Sequence, residues 1–130
     1  MAEQARTPGA TRAGPGEHFF ELAKVNHVQG GPDYSTAEGS CVEGDRLMVA
    51  LMRMPAGTGA VDHSHPNEQW IYILEGTFHA NVGGQDVVAP PGSVVYIPSN
   101  TIHRGKAGED ADVVFFTAKD TSHGLQGTKA

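Results

Sequence analysis

The chain has 130 residues, including 17 glycines, 8 prolines and one cysteine, and a formal net charge of −6. This length suits one domain with a modest core, and the negative charge argues against binding to nucleic acid or to anionic membranes. The single Cys41 excludes an internal disulfide, and the N-terminus lacks the apolar stretch of a secretion signal, so we expect a cytoplasmic protein. No apolar run has the length of a membrane span.

The first half of the chain predicts a tail, two strands and a loop between them. Residues 1–17 are rich in Ala, Gly, Pro, Thr and charged residues, which is typical of a flexible tail. Residues 19–25 predict a first strand, and residues 30–45 a loop. The mostly apolar run 46–54 is ended by Pro55, and its length and flanking Gly and Pro favour a strand over a short buried helix.

The second half of the chain predicts a succession of short strands. Residues 69–75, dense in aromatic and β-branched side chains, form the clearest one. Residues 77–82 alternate polar with apolar side chains, and Gly83-Gly84 predicts a two-residue hairpin turn. The remaining predicted strands are 85–89, 93–97 and 112–118. Short, regularly spaced strands indicate an all-β barrel or sandwich over residues 18–122, with 123–130 as a C-terminal tail.

Three histidines and one glutamine have the spacing of metal ligands. His63 and His65 are two residues apart, so on an extended strand both imidazoles point to one side. Gln69 follows with a side-chain oxygen, and His103 comes after the turn, strand and turn predicted by residues 90–98. Three imidazoles and one oxygen from two strands would form a mononuclear metal site with coordination positions open to a small molecule.

Four other polar residues are weaker candidates for the site. Glu68 points to the opposite face from Gln69, unless the loop bends and Glu68 takes the ligand role. Tyr96 and His123 are candidate acid/base groups, for which core packing and an exposed turn are the respective alternatives. Arg53 could anchor an anionic substrate if it points into the mouth of the barrel, and is otherwise a solvated strand residue.

At these motifs the chain resembles the cupin superfamily. The family's first motif, glycine, two histidines, glutamate and glycine at fixed spacing, is matched with Gln in place of Glu by Gly57, His63, His65, Gln69 and Gly76. The second motif is matched by Gly84, Pro90, Gly92 and His103. Ala107 stands where asparagine is common, and the resemblance extends over residues 46–118.

The resemblance implies a double-stranded β-helix, or jelly-roll barrel, with a metal inside its mouth and commonly a homodimer. It implies that the ligands of one divalent transition metal ion per chain are His63, His65, Gln69 and His103. Imidazoles can hold Zn, Fe, Mn, Ni or Co, so the sequence leaves the metal open. The three-His, one-Gln pattern is similar to that of small cupins that linearise or isomerise sugar-acid products, shift double bonds in antibiotic biosynthesis or cyclise aromatic polyketides.

The uncharged ligand set favours one kind of chemistry. Three imidazoles and an amide leave the charge of the ion uncompensated, so it should strongly polarise a carbonyl or enolate oxygen. The inward side chains next to Gln69, namely Ile71, Ile73 and Glu75, predict a largely apolar pocket. We therefore expect an isomerase, cyclase or lyase acting on a small molecule with a carbonyl or enolisable group.

Two alternatives use the same barrel. An Fe(II)-dependent dioxygenase cleaving a diketone or a phenolic ring would employ the same three histidines. Oxygen uptake that depends on Fe(II) would distinguish it. A non-enzymatic cupin that binds a small ligand would keep the barrel without turnover.

Overall fold

A computed structural model describes residues 5–130 of the chain. The elements, in chain order, are β1 (Thr11–Arg12), α1 (Leu22–Val25), β2 (Val28–Gln29), β3 (Glu38–Glu43), β4 (Leu47–Met54), β5 (Gly59–Ser64), β6 (Gln69–Glu75), β7 (Phe78–Val82), β8 (Gln85–Ala89), β9 (Val94–Ile97), β10 (His103–Ala107), β11 (Val113–Asp120) and β12 (Thr128–Lys129). In this part of the chain no helix is long and apolar enough to cross a membrane.

The strands form two sheets that enclose one core. The larger sheet has the order β1-β3-β4-β11-β6-β9, with β2 also paired to β3, and the smaller has the order β12-β5-β10-β7-β8. Neighbouring strands pair antiparallel, except for the parallel pair β1 and β3. Several pairs, such as β4 with β11, β11 with β6 and β5 with β10, join strands that are distant in sequence, as in a jelly roll. The predicted all-β, double-stranded β-helix fold is confirmed.

Side chains alternate between the core and the surface along the central strands. In β11 every second residue from Val113 onward is buried, and in β6 Ile71 and Ile73 are buried while Trp70 and Tyr72 are exposed. This alternation is the period of an extended strand with one face on a core. It brings apolar side chains from both sheets together, including Met52, Ile73, Phe78, Ile97 and Phe115.

The strands predicted from the second half of the sequence are present as β6, β7, β8, β9 and β11, and the run 46–54 is β4. The glycine pair connects β7 to β8, whose end residues Val82 and Gln85 are partners. Gly83 and Gly84 have φ angles of 58° and 91°. Positive φ at both central residues is what a type I′ hairpin turn requires, and glycine adopts it without steric cost.

Two predictions about the first half were wrong. Residues 19–25 do not form a strand; Leu22–Val25 is one helical turn, and Phe19 is 80% exposed. Glu, Leu, Ala and Lys are good helix formers, which outweighs the β-propensity of the two phenylalanines where no partner strand is available. The loop predicted at 30–45 contains β3, which pairs with β4 along its whole length.

The terminal segments contact the barrel rather than forming free tails, although residues 1–4 of the predicted tail lie outside the described residues. Thr7 is buried, and its amide donates to a carboxylate oxygen of Glu43 at 3.0 Å. At the other end Leu125 is buried, and its amide donates to the Thr7 hydroxyl at 2.7 Å. The strand β12 pairs with β5 beside the histidines. Within residues 5–130, hydrogen bonds and burial therefore hold both terminal segments, which composition alone does not reveal.

Candidate metal centre

Three histidines meet at one end of the smaller sheet. His63 near the end of β5 and His103 at the start of β10 are direct partners in the ladder, and the register shifts just beyond them. His65 follows β5 by one residue, so the chain carries it over the same end of the sheet. All three side chains are buried, and their candidate ligand nitrogens lie within 4.8 Å of one another. A cluster of this kind could hold one metal ion.

Main-chain carbonyls fix the tautomer of each ring. The Nδ1 atoms lie 2.7 to 2.8 Å from carbonyl oxygens, in the pairs His63 with Val61, His65 with Asn67 and His103 with Thr101. A carbonyl oxygen can only accept a hydrogen bond, so each Nδ1 carries the proton and each Nε2 keeps a lone pair. Metal-binding histidines are typically oriented in this way by a bond from the other ring nitrogen.

The orientation of the Gln69 amide is fixed by a second chain of hydrogen bonds. The hydroxyl of Thr117 donates its single proton to the carbonyl oxygen of Trp70 at 2.8 Å. It can therefore only accept from the amide nitrogen of Gln69, also at 2.8 Å. The amide oxygen Oε1 must then face the histidines, where it lies 3.1 Å from Nε2 of His65.

This close approach places two lone pairs opposite each other. The Nδ1 proton of His65 is already donated to Asn67, so a neutral ring has no second proton for Oε1 of Gln69. Burial lowers the pKa of His65 to about 4, which keeps the ring neutral near pH 7. A cation near both atoms would remove the conflict, so the donor set fits a divalent metal ion.

The surroundings keep the other two imidazoles uncharged as well. Burial lowers the pKa of His63, and it lowers the pKa of His103 to about 3. The positive charge of Lys119 acts in the same direction on all three rings. Since a ligating imidazole must be deprotonated at the metal-binding nitrogen, these shifts prepare the cluster for a cation at neutral pH.

An interior cavity of about 60 Å³ adjoins the cluster. His63, Gln69 and His103 contribute to its wall, and most of the remaining wall is apolar, including Met52, Met54, Ile71, Phe78, Ile97 and Phe115. The apolar wall agrees with the largely apolar pocket that the inward-facing residues near Gln69 predict. Glu75 does not take part, because it is exposed at the end of β6.

The structure does not bring the two candidate acid/base groups to the cavity. Tyr96 alternates with the buried Ile97 on β9 and faces outward, where its hydroxyl donates to Glu68 at 2.6 Å and its ring packs on Trp70. His123 lies in an exposed turn, with Nδ1 3.1 Å from the hydroxyl oxygen of its neighbour. Strand alternation and an exposed turn therefore place both side chains away from the imidazoles.

Two other candidates also face solvent. Glu68 is exposed, as predicted from its position next to Gln69, and binds the tyrosine hydroxyl on the outer face. Arg53 is exposed on β4 and forms an ion pair with Asp112 at 3.0 Å. It is therefore a solvated strand residue rather than an anchor in the mouth of the barrel.

Lys119 lines the cavity and is not among the site residues that the sequence predicts. Its side chain is only 4% exposed, and Nζ donates to the carbonyl oxygen of Leu125 at 2.5 Å. On the ladder between β11 and β6 it is the direct partner of Gln69. A sequence pattern does point to Lys119, because it continues the alternation of inward-facing residues along the last strand. The predicted strand, however, ends at residue 118.

Tyr34 is a second site residue that no sequence pattern predicts. It lies between β2 and β3, and its ring stacks on His63 with centroids 4.2 Å apart. Its hydroxyl accepts from the amide of Gly127 at 2.7 Å and donates to the carbonyl of Gly30 at 3.2 Å. The ring thus supports one face of the imidazole, and the hydroxyl holds the C-terminal segment beside it.

Comparison with known proteins agrees with this arrangement. The cupin domain family matches residues 50–119, more than half of the chain. The chain therefore belongs to the cupin family, as its motifs predicted. A search of curated proteins finds no match.

Solved structures share the fold at low sequence identity. KdgF from a Halomonas species is 21% identical with a TM-score of 0.61, over 67% of this chain and 80% of that one. A cupin with a double-stranded β-helix fold from Methanocaldococcus jannaschii is 18% identical with a TM-score of 0.55, over 59% and 72%. A predicted oxalate decarboxylase from Thermotoga maritima is 24% identical with a TM-score of 0.54, over 59% and 68%. At these identities the likeness establishes the fold.

Proposed function

We propose that this chain is a cytoplasmic metal-dependent enzyme that acts on a small molecule with a carbonyl or enolisable group. Its site would hold one divalent transition metal ion through His63, His65, Gln69 and His103. The observation that carries the proposal is the set of fixed donors: three Nε2 lone pairs and one amide oxygen, each oriented by a hydrogen bond on its far side.

The residues of the chain define what this site could do. When bound, the ion supplies Lewis-acid polarisation of a substrate oxygen. The donors are all uncharged, so none offsets the positive charge that the substrate oxygen meets. The apolar walls exclude water and strengthen electrostatic interactions within the cavity. Isomerase, cyclase and lyase reactions beside a carbonyl group can all use this polarisation, and the likeness to a predicted oxalate decarboxylase is compatible with small-molecule chemistry.

Elemental analysis of purified protein tests the metal site. Wild type should hold one equivalent of a transition metal per chain after loading and removal of free metal. The His63→Ala and His103→Ala variants should not retain the metal. Each substitution removes a ligand nitrogen, and the remaining ligands are too few to bind the ion tightly. His79→Ala is the matched control, since His79 is exposed on β7 and should leave the metal content unchanged. Wild-type protein that retains no metal would overturn the proposal.

Proton exchange tests the chemistry. An enolisable probe such as a small β-diketone should exchange its α-protons for deuterium faster with loaded wild type than with His103→Ala. The exchange should proceed without oxygen uptake, as Lewis-acid polarisation requires no oxidant. Oxygen consumption with Fe(II)-loaded protein would instead identify the dioxygenase, and binding of the probe without exchange or oxygen uptake would favour the non-enzymatic cupin.

We further propose that the protein is a homodimer. The outer face of β6 and its edge neighbour β9 exposes a continuous set of large side chains: Trp70, Tyr72, Leu74, Val94 and Tyr96. Apolar patches rich in aromatic residues are typical of protein interfaces. Light scattering should give twice the monomer mass for wild type, and Tyr72→Glu should shift it toward the monomer, whereas Val88→Glu on β8 should not. A monomeric wild type would contradict the proposal.

A further inference from the structure

The cavity beside the histidines contains no acidic side chain among the residues that the structure describes. This is unexpected for a chain with 15 Asp and Glu residues and a net charge of −6. Two cationic residues, Arg104 and Lys119, do contribute to its wall. The side chain of Arg104 is half exposed and pairs with Asp62 at 3.1 Å. Within residues 5–130, Lys119 is therefore the cationic side chain that is buried at the cavity.

Lys119 has unusual surroundings for a buried amine. Within residues 5–130, the one hydrogen bond that Nζ makes is to the carbonyl oxygen of Leu125, and no carboxylate lies within 4.0 Å. The neighbouring carboxylate of Asp120 accepts from the amide of Ser122 on the other side of the strand. An ammonium has three N–H donors, so two remain without a protein acceptor. The charged form of a buried amine is costly unless an anion lies within hydrogen-bonding distance, so the unused N–H donors point to a ligand that supplies one.

The position of Lys119 sets its distance to the candidate metal centre. Lys119 and Gln69 are direct partners on adjacent strands, and both side chains are buried on the inner face. Facing partners in an antiparallel pair have Cβ atoms roughly 5 Å apart. The amine therefore lies within reach of a small molecule that also touches the point where the imidazoles converge.

We infer that Lys119 is a substrate-binding residue that selects a carboxylate, so that the substrate carries both a polarisable oxygen and a carboxylate. The inference rests on the proposed function, because it takes the imidazole cluster as the second anchoring point. The small cavity favours a planar carboxylate over the bulkier phosphate group. The missing acidic residues follow from the same assignment, since a carboxylate in the wall would repel the substrate and compete for Lys119.

A purely structural role for Lys119 predicts the opposite behaviour on substitution. In that case Lys119 would serve to hold the C-terminal segment through Leu125, and Lys119→Met would destabilise the fold. The segment has other attachments, because Asn67 donates to the carbonyls of His123 and Gly124, and Gly127 donates to Tyr34. Methionine has nearly the same length without the charge, so we expect Lys119→Met to fold with equal or greater stability.

Binding measured by calorimetry on zinc-loaded protein tests the inference. Formate, acetate and pyruvate are the carboxylate probes, pyruvamide is the uncharged match for pyruvate, and inorganic phosphate is the alternative anion. Lys119→Met should retain one zinc per chain and should bind pyruvate roughly tenfold to a hundredfold more weakly than wild type, the range for a hydrogen bond to a charged group. Pyruvamide binding should be unchanged, and Lys119→Arg should retain part of the affinity for pyruvate.

Several results would overturn the inference and leave the proposed function standing. They are equal pyruvate binding by wild type and Lys119→Met, no binding of any carboxylate probe by zinc-loaded wild type, and tighter binding of phosphate than of carboxylates. A wild type that holds no metal would instead defeat the proposed function itself. If Lys119→Met fails to fold, Lys119→Gln replaces it in the same comparison, and unchanged pyruvate binding in that variant likewise overturns the inference.

Discussion

The barrel contains two regions that are both buried and are chemically opposite. Around Ile73, Phe78 and Phe115 the interior is apolar, whereas His65, Gln69 and Lys119 at the mouth are polar although they are buried too. Burial of apolar surface stabilises the first region, while burial of polar groups is costly unless hydrogen bonds compensate. Apolar burial therefore accounts for the stability of the fold, and the buried polar groups at the mouth are the ones that the proposed function requires. The two regions should therefore respond in opposite ways to substitution.

The largest effect on stability is expected in the apolar region. Ile73 is fully buried, so Ile73→Ala removes packed methyl groups and leaves a cavity. We expect the free energy of unfolding to fall by about 2–5 kcal/mol. Urea denaturation measures this change, and the metal content should stay at one equivalent per chain. Loss of metal from a folded Ile73→Ala protein would show that the two regions are not separable.

The second-largest effect on stability is expected at the mouth of the barrel, when the metal-free protein is acidified. Burial holds the pKa of His65 at about 4 in the folded chain, below the ordinary value of 6.5. Between these values the unfolded chain binds a proton that the folded chain does not, so stability present above pH 6.5 is lost as the pH falls toward 4. The shift corresponds to about 3 kcal/mol for this one group.

Urea denaturation from pH 7 to pH 4 checks this pH dependence. His65→Gln should make the pH dependence less steep, because glutamine does not titrate while His63 and His103 still do. The exposed His79→Gln serves as the control. Identical pH profiles for wild type and His65→Gln would contradict the account.

Some residues of these two regions can be predicted from local sequence patterns, whereas others depend on pairing between distant segments. His63, His65 and Gln69 could be selected because their spacing is a property of the chain itself. The strands β5 and β10, which carry His63 and His103, are not among the predicted strands, since Gly59, Asp62 and Gly105 have low β-propensity and are held in strands by their partners. Partner-dependent pairing is tertiary information that local patterns do not contain.

The same limit explains the errors in the acid/base candidates. Tyr96 was selected for its chemistry, and the alternation of β9 turns it outward. Lys119 was overlooked because a lysine at the end of a strand is normally solvated, and the C-terminal segment that covers it is distant from any motif. Selecting it requires knowing which segment packs over the mouth.

Replacing Lys119 should raise stability where replacing a core residue lowers it. Burial lowers the pKa of Lys119 from 10.5 to about 7, so the folded chain is penalised whenever the amine is charged. The substitution Lys119→Met should raise the free energy of unfolding by about 1–4 kcal/mol. The gain should be largest below pH 7 and shrink as the pH rises toward 10, because the unfolded wild-type chain is then the more protonated state.

Urea midpoints at pH 6 and pH 9.5 measure the change, with Lys106→Met as the exposed control. A lower midpoint for Lys119→Met at both pH values would show that the lysine supports the fold instead.

The smallest expected effect concerns the group that orients a ligand. Thr117→Val keeps the shape of the side chain but removes the acceptor for the Gln69 amide nitrogen. Once the amide can rotate, metal affinity should fall roughly tenfold to a hundredfold, as for other groups that position metal ligands. Competition with a coloured chelator measures the affinity. Thr77→Val, outside the cluster, is the control, and equal affinity in Thr117→Val and wild type would exclude Gln69 as an oriented ligand.

X-ray absorption at the metal edge of loaded protein reports the ligands of the metal ion. We expect scattering from three imidazole rings at about 2.0–2.1 Å, together with an oxygen ligand and no sulfur. Gln69→Ala should remove one light-atom neighbour, or exchange it for water, while the imidazole signal persists. A bound metal that shows no imidazole scattering, or that has sulfur in its coordination shell, would show that these residues are not its ligands.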